Sequence, residues 1–343
     1  MGVPLRQHAL KVDCIRPDTL AAQLKEAQEQ DEKWLHKKSD TFETADCPIH
    51  QKTAMAAPLY RLKNGLTYAI CSKCSTIFLK KRPNAEGYEE FYRTSAIMKL
   101  FATDVFPQSN TRRVENLYVP RLQKLLDYYK KFGNRKGSFI EIGAGSGMFA
   151  ELVKESRVFT RCVAIEPSPH LAESCRRKGL EVIERGIENI SLRENEAFTD
   201  IAIVGCFELL EHLLDPMTFV KKIYSILPPG GLFCLSTPNG RGFDILELKE
   251  KSTTLGLTHV NLFNPGSLSL LLEWAGFEVL EISTPGRLDV DLVYREFKID
   301  ETTLNDSWLR HFLLTSTDAM KEKLQHFLQS TMQSSHMWAI CQK

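Results

Sequence analysis

Ser138-Phe-Ile-Glu-Ile-Gly-Ala-Gly-Ser-Gly-Met-Phe-Ala150 decides how this chain is read. The apolar run Phe139 to Ile142 is the kind that makes a buried strand. Gly143, Gly145 and Gly147 then turn the chain into an apolar, helix-forming segment, Met148 to Val153. Such a turn lets a ligand lie against bare backbone, and the helix start offers free N–H groups. The spacing departs from the dinucleotide pattern G-x-G-x-x-G: the third glycine comes one residue early, and Met148 stands where that pattern needs glycine. Glu141, inside the strand, would repel a pyrophosphate. It suits a cationic ligand that carries an amino group. The competing reading is a glycine-rich turn with only a packing role.

The pattern E-x-G-x-G-x-G, here Glu141, Gly143, Gly145 and Gly147, resembles the first motif of the class I S-adenosylmethionine-dependent methyltransferases. The resemblance implies S-adenosylmethionine against Glu141, Gly143, Ala144, Gly145 and Gly147. It also implies an α/β fold: a seven-stranded, doubly wound sheet whose last strand is inserted antiparallel beside the fifth.

Outward from this stretch, strands and helices alternate, which implies a mainly parallel sheet. Strands are expected at 138–142, 161–165, 181–184, 200–206, 232–236 and 277–283, with a terminal strand at 336–341. A long excursion from Pro285 to Ser335 carries helices near Asp306 to Leu314 and Thr317 to Gln333. Ligands of such sheets collect beyond the carboxyl ends of the strands. Glu166 ends the second strand, where a carboxylate accepts both ribose hydroxyls of a nucleoside; otherwise it is a surface acid capping the next helix. Arg185 to Asn189 follows the third strand and should lie near the adenine, with Ile187 and Glu188 as candidates.

After the fourth strand comes Cys206-Phe-Glu-Leu-Leu-Glu-His-Leu-Leu-Asp-Pro216. Its E-x-L-E-H-x-x-D-P resembles the methyltransferases related to those of ubiquinone biosynthesis. So do Pro229-Gly-Gly231, Ser236-Thr-Pro-Asn239, His259-Val-Asn-Leu-Phe263 and Leu272-Glu-Trp-Ala-Gly-Phe277. The resemblance covers about residues 135 to 285 and places Phe207 and Glu208 beside the cofactor. Histidine is the natural base near neutral pH. His212 and His259, on the same rim of the sheet, are the candidate catalytic residues; each is otherwise a loop histidine that organises hydrogen bonds. His170, Asn239, Asn261 and Arg287 are candidates by position alone.

Upstream, Cys47-Pro-Ile-His50 is followed after 20 residues by Cys71-Ser-Lys-Cys74, with Asn64-Gly65 between them as a hairpin signal. Two ligand pairs on two knuckles are the layout of a zinc ribbon. Four protein ligands leave no open position, so such a zinc is structural. The competing reading is four unrelated residues. Helices are expected from Pro17 to Lys38, from Tyr88 to Phe101 and from Val114 to Phe132, with Pro107 to Asn110 as a break. The domain expectation is a polar arm (1–45), a zinc-ribbon-like module (46–80), a helical lid (81–135) and a methyltransferase domain (136–343) with an insertion at about 286–335. Arg112 and Arg113, in the lid, face either the pocket or solvent.

The net charge of +1 gives no electrostatic footprint for nucleic acid. No apolar run approaches the ~20 residues of a membrane span. The first residues lack the apolar core of a secretory signal. Nine cysteines, mostly inside strands or helices, fit a reducing cytoplasm better than a disulfide scaffold. The expected function is methyl transfer from S-adenosylmethionine to a hydroxyl or carbon of a small polar acceptor, such as a sugar or sugar-linked metabolite. Two alternatives stay open: a protein methyltransferase that docks through the ribbon, and a non-catalytic cofactor-binding scaffold.

Overall fold

The computed structural model describes residues 10–51, 56–62, 64–190, 198 and 200–343, without the side chains of 56–58 and 188. Helix α1 (Ala21–Lys38) buries Ala27 and Leu35, the stripe its sequence offers. Strand β1 (Glu43–Thr44) is followed by the hairpin of β2 (Ala56–Arg61) and β3 (Thr67–Cys71), then by β4 (Ile77–Leu79) and β5 (Lys81–Arg82), which pairs back on β1. The hairpin turns at Asn64-Gly65, where Gly65 takes φ +87° and the Asn64 side chain accepts the Leu66 N–H.

The next segment differs from its sequence expectation. Helix α2 (Ala85–Thr94) stops at Ser95, which is extended and caps α3 (Ala96–Leu100) by accepting the Met98 N–H. From Ala96 the chain stays helical through α4 (Phe106–Arg113) and α5 (Val119–Phe132), so Pro107 does not break it. The reason is two π-turns, Phe101–Val105 and Val114–Tyr118, each just ahead of a proline. The wider turn re-registers the backbone hydrogen bonds where Pro107 and Pro120 supply no N–H.

The remaining elements are β6 (Ser138–Ile142), α6 (Met148–Glu155), β7 (Cys162–Ile165), α7 (Pro169–Arg177), β8 (Glu181–Ile183), β9 (Ile201–Phe207), α8 (Pro216–Ile226), β10 (Leu232–Pro238), α9 (Phe243–Leu248), β11 (Asn261–Leu262), α10 (Pro265–Trp274), β12 (Glu278–Ser283), α11 (Asp289–Ile299), α12 (Ser307–Thr315), α13 (Asp318–Ser330) and β13 (His336–Gln342). The seven-stranded sheet runs β12-β13-β10-β9-β6-β7-β8. Only β13 is antiparallel to its neighbours, and it lies between the fifth and sixth strands as expected. The inner strands β6, β7, β9 and β10 are buried along their whole length, because helices cover both faces.

Helix α11 lies where the sequence reading placed no element. Its Val290, Val293 and Phe297 repeat at helical spacing among charges and pack with Leu248, Leu309, Leu313 and Leu328 in a separate small core.

The Cys/His segment is built into the main fold. Strand β11 pairs antiparallel with β4, giving a four-stranded sheet β11-β4-β3-β2. Cys47, Ile49, Ala69, Cys71, Cys74 and Phe78 share one hydrophobic cluster with Leu268, Leu271 and Leu272 of α10 and with residues of the large sheet.

Candidate active site

Strand β6 ends in the glycine turn. Gly143, Gly145 and Gly147 take φ of +71°, +57° and +79°, a region that side chains disfavour. A Cβ on Gly147 would stand 2.7 Å from the Cys175 Sγ, whereas one on Gly145 would meet nothing within 4 Å. Gly147 is thus fixed by packing, and Gly145 leaves bare backbone facing open space. Ala144, between Gly143 and Gly145, is half-buried, and its N–H donates to the Ile165 carbonyl.

Glu166, at the end of β7, is 6% exposed. Its Oε2 accepts the Gly145 N–H at 2.8 Å and its Oε1 accepts the Ser168 N–H at 2.9 Å. Burial pushes the carboxyl up, and those two N–H donors pull against it. Glu141 is 4% exposed, and its Oε2 has no hydrogen-bond partner among the described residues. Burial pushes this carboxyl up to about 8, with the charge of Arg121 acting in the other direction.

Glu208 follows β9 with φ +53°. Its Oε1 accepts the Ser236 hydroxyl at 2.6 Å, and its Oε2 lies 3.1 Å from the His336 Nε2. Burial works against the charge of both groups. Their mutual attraction wins, so Glu208 is held below the usual carboxylate range and His336 is raised to about 9. The Phe207 ring meets Phe149 edge-on at 4.9 Å, and the Arg121 guanidinium lies 4.7 Å over Phe207. Arg121 acts on Glu141 and Glu208 together.

His212 and His259 come together, their rings 5.0 Å apart. The His212 Nδ1–H donates to the Thr258 carbonyl at 2.8 Å, and the His259 Nδ1–H donates to the Thr254 carbonyl at 2.7 Å. Each ring therefore keeps Nε2 as its lone-pair nitrogen. The Tyr92 hydroxyl sits 3.2 Å from the His212 Nδ1. Burial lowers both histidines, His259 to about 3, with His212 adding to the effect. Glu211, 1% exposed, accepts the Thr237 hydroxyl at Oε2. Its Oε1 has no hydrogen-bond partner among the described residues and lies 3.7 Å from the His212 Nε2. Glu211, His212 and His259 can each turn one ligand atom to a common point, within 4.8 Å of one another. Burial, with Glu208 beside it, pushes Glu211 up to about 8.

The other positions fall elsewhere. Asn239 is buried and donates to the Ser334 carbonyl at 2.9 Å, which ties down the chain ahead of β13. Asn261 donates to the Leu213 carbonyl. His170 and Arg112 are exposed, and Arg113 donates to the Ile15 carbonyl. Arg287 donates to the Asn116 carbonyl and borders a cavity of about 120 Å³ between α11 and α13. Ile187 is buried in the main core, and the Glu188 side chain lies outside the described residues. Sequence reading missed Arg121, Tyr92 and His336. Each reaches the site from a distant part of the chain, and each sits in a helix or strand that reads as ordinary packing.

In the second cluster, Cys47 Sγ lies 3.6 Å from Cys74 Sγ, and His50 Nδ1 lies 3.9 Å from both Cys47 Sγ and Cys71 Sγ. The edge of a tetrahedron with bonds of ~2.3 Å is ~3.8 Å, so this donor set fits zinc in spacing as well as chemistry.

The profile of the family described as "Methyltransferase domain" matches residues 111–282, half of the chain. The chain belongs to the class I S-adenosylmethionine-dependent methyltransferases. A probable S-adenosylmethionine-dependent methyltransferase of Mycolicibacterium smegmatis is 31% identical over 140 residues, covering 41% of this chain and 51% of that protein. A ubiquinone biosynthesis O-methyltransferase of Xanthomonas campestris is 29% identical over 103 residues, covering 29% of this chain and 42% of that protein. The chain thus spans about half the length of the curated relatives it matches. A solved S-adenosylmethionine-dependent methyltransferase from Archaeoglobus fulgidus is 16% identical, with a TM-score of 0.42, over 67% of this chain and 96% of that one.

Proposed function

We propose that this protein transfers the methyl group of S-adenosylmethionine to a hydroxyl or carbon of a small polar acceptor. The observation that carries the reading is the cradle itself: bare backbone at Gly145, flanked by the buried carboxylates Glu141 and Glu166. Glu166 is suited to the ribose hydroxyls. The unpartnered oxygen of Glu141 is suited to the ammonium of the amino-acid end, and Arg121 to its carboxylate.

The bound sulfonium supplies an electrophilic methyl group. His259, with its Nδ1–H held by Thr254, would present Nε2 to take the acceptor's proton. A ubiquinone O-methyltransferase among the relatives supports an oxygen acceptor; a sugar or sugar-linked hydroxyl remains our candidate. A cytoplasmic location is part of the same reading, and no helix among the described residues is long and apolar enough to cross a membrane. Cys47, His50, Cys71 and Cys74 would hold a structural zinc, with all four positions filled by protein.

One observation favours a second reading of the histidines. Glu211 Oε1, without a hydrogen-bond partner among the described residues, lies near the His212 Nε2, and with a ring nitrogen of His259 these make two imidazoles and a carboxylate suited to a divalent cation. Such a cation would acidify a bound acceptor hydroxyl, and the two histidines would then be ligands, not bases.

The test is calorimetric titration with S-adenosylmethionine, its demethylated product and NAD, followed by an acceptor panel with and without EDTA. Micromolar binding of the first two and none of NAD is expected. No binding to folded, zinc-loaded protein would overturn the proposal. Turnover that survives EDTA would overturn the cation reading, and loss of turnover in His259→Ala would then support His259 as the base.

A further inference from the structure

We infer that Tyr68 is a positioning residue, through which the Cys/His ribbon holds the 254–260 loop and so places His259 beside Glu211 and His212. This rests on the reading of His259 as a working group of the site.

Tyr68 lies on β3, three residues before Cys71, and is fully buried. Its hydroxyl stands 2.7 Å from the carbonyl oxygens of both Gly256 and His259, and it accepts the Gly256 N–H at 3.0 Å. The loop has further ties on the same side: the Leu79 N–H donates to the Val260 carbonyl, and the Tyr88 hydroxyl to the Leu257 carbonyl. On its other side the Val260 N–H donates to the Glu211 carbonyl, and Thr258 accepts from His212. The loop is therefore clamped between the ribbon and the turn that carries Glu211 and His212.

Tyr68 is the member of this clamp that bonds to His259 itself. Loss of its hydroxyl leaves the Gly256 N–H without its acceptor and takes away the one proton that the Gly256 and His259 carbonyls share, in a buried place, unless the loop moves. There is open space beside Gly256 for such a movement, since a Cβ there would meet nothing within 4 Å. Phenylalanine would keep the packing against Leu255, Leu257 and Val260, so the substitution isolates the hydrogen bonds. On this account the ribbon is a wall of the active site, and Tyr68 is its link to the chemistry.

The experiment compares wild type, Tyr68→Phe and Tyr60→Phe, all as full-length protein. Tyr60 packs in the same cluster, and none of the described hydrogen bonds joins its hydroxyl to the loop. Long-range nitrogen–proton spectra of the imidazoles report the His259 tautomer, and hydrogen exchange reports the loop. In Tyr68→Phe, His259 should lose its single Nδ1–H tautomer and amides 254–260 should exchange at least tenfold faster. S-adenosylmethionine affinity and zinc content should stay within twofold. Unchanged His259 signals, or equal changes in Tyr60→Phe, would overturn the inference. Should Tyr68→Phe not fold, 3,5-difluorotyrosine at position 68 keeps the ring and alters only the hydroxyl as a donor; it must shift the His259 signals. The functional reading fails separately, if His259→Ala leaves methyl transfer intact.

Discussion

Glu166 holds the backbone of Gly145: its Oε2 accepts that N–H at 2.8 Å, across the gap between the ends of β7 and β6. One carboxylate therefore shapes the turn and is, in our proposal, the acceptor for the ribose. Hydrogen bonds to a charged group contribute about 1.5–3 kcal/mol each. Glu166→Ala should weaken S-adenosylmethionine binding by about 10- to 100-fold in calorimetry while the protein stays folded. Unchanged affinity would remove Glu166 from the cofactor site.

Glu141 makes cofactor binding depend on pH. With its carboxyl raised to about 8, the free protein carries it protonated at pH 7, and pairing with an ammonium requires its ionisation. Affinity should rise with pH and level off above about 8, with proton release seen as buffer-dependent heats. The sign for stability is opposite. Between an unfolded value of ~4.3 and about 8, the native state binds the extra proton, so Glu141 lowers stability as pH rises through that window. Glu141→Gln should flatten both dependences, read by calorimetry and by denaturant melts from pH 5 to 9.

The glycines separate folding from binding. At Gly147 a methyl group collides with Cys175 at positive φ, so Gly147→Ala should cost about 1–3 kcal/mol in a denaturant melt. At Gly145 the added carbon meets open space, so Gly145→Ala should cost less in stability. It should still lose most cofactor affinity, because the methyl group fills the cradle. Equal effects of the two substitutions on both readouts would contradict this division.

Purified protein should contain one zinc per chain by atomic emission, and Cys74→Ala should release it. Because the cysteines share a core with α10 and the large sheet, thermal unfolding should remain a single transition with a lower midpoint. An early, separate ribbon transition would show that the shared core does not couple the two parts.

The large sheet was legible because its inner strands are continuous apolar runs, punctuated by glycine or proline before each helix. Even the insertion of His336–Gln342 followed from strand count and the family motif. The helical path from Ala96 to Phe132 departs from its sequence expectation because proline signals a break from local sterics alone, while the π-turns that relieve Pro107 and Pro120 leave no residue signature. Strand β11 spans two residues, too short for any period, so the joining of ribbon to loop was invisible. The Glu208–His336 pair could not be read at all, since the long helical excursion separates the two in sequence and only the topology brings them together.

The placement of β13 has a further consequence, for the order in which the molecule assembles. Of the seven sheet strands it is the last to be synthesised, yet it hydrogen-bonds to both β10 and β12. Until it arrives, a growing chain exposes two unpaired edges, and the Phe207 ring lacks its partner Trp338. The active-site floor is thus finished after all its other strands have been made. A nascent chain stalled before His336 would be a target for chaperones and could not yet be an enzyme.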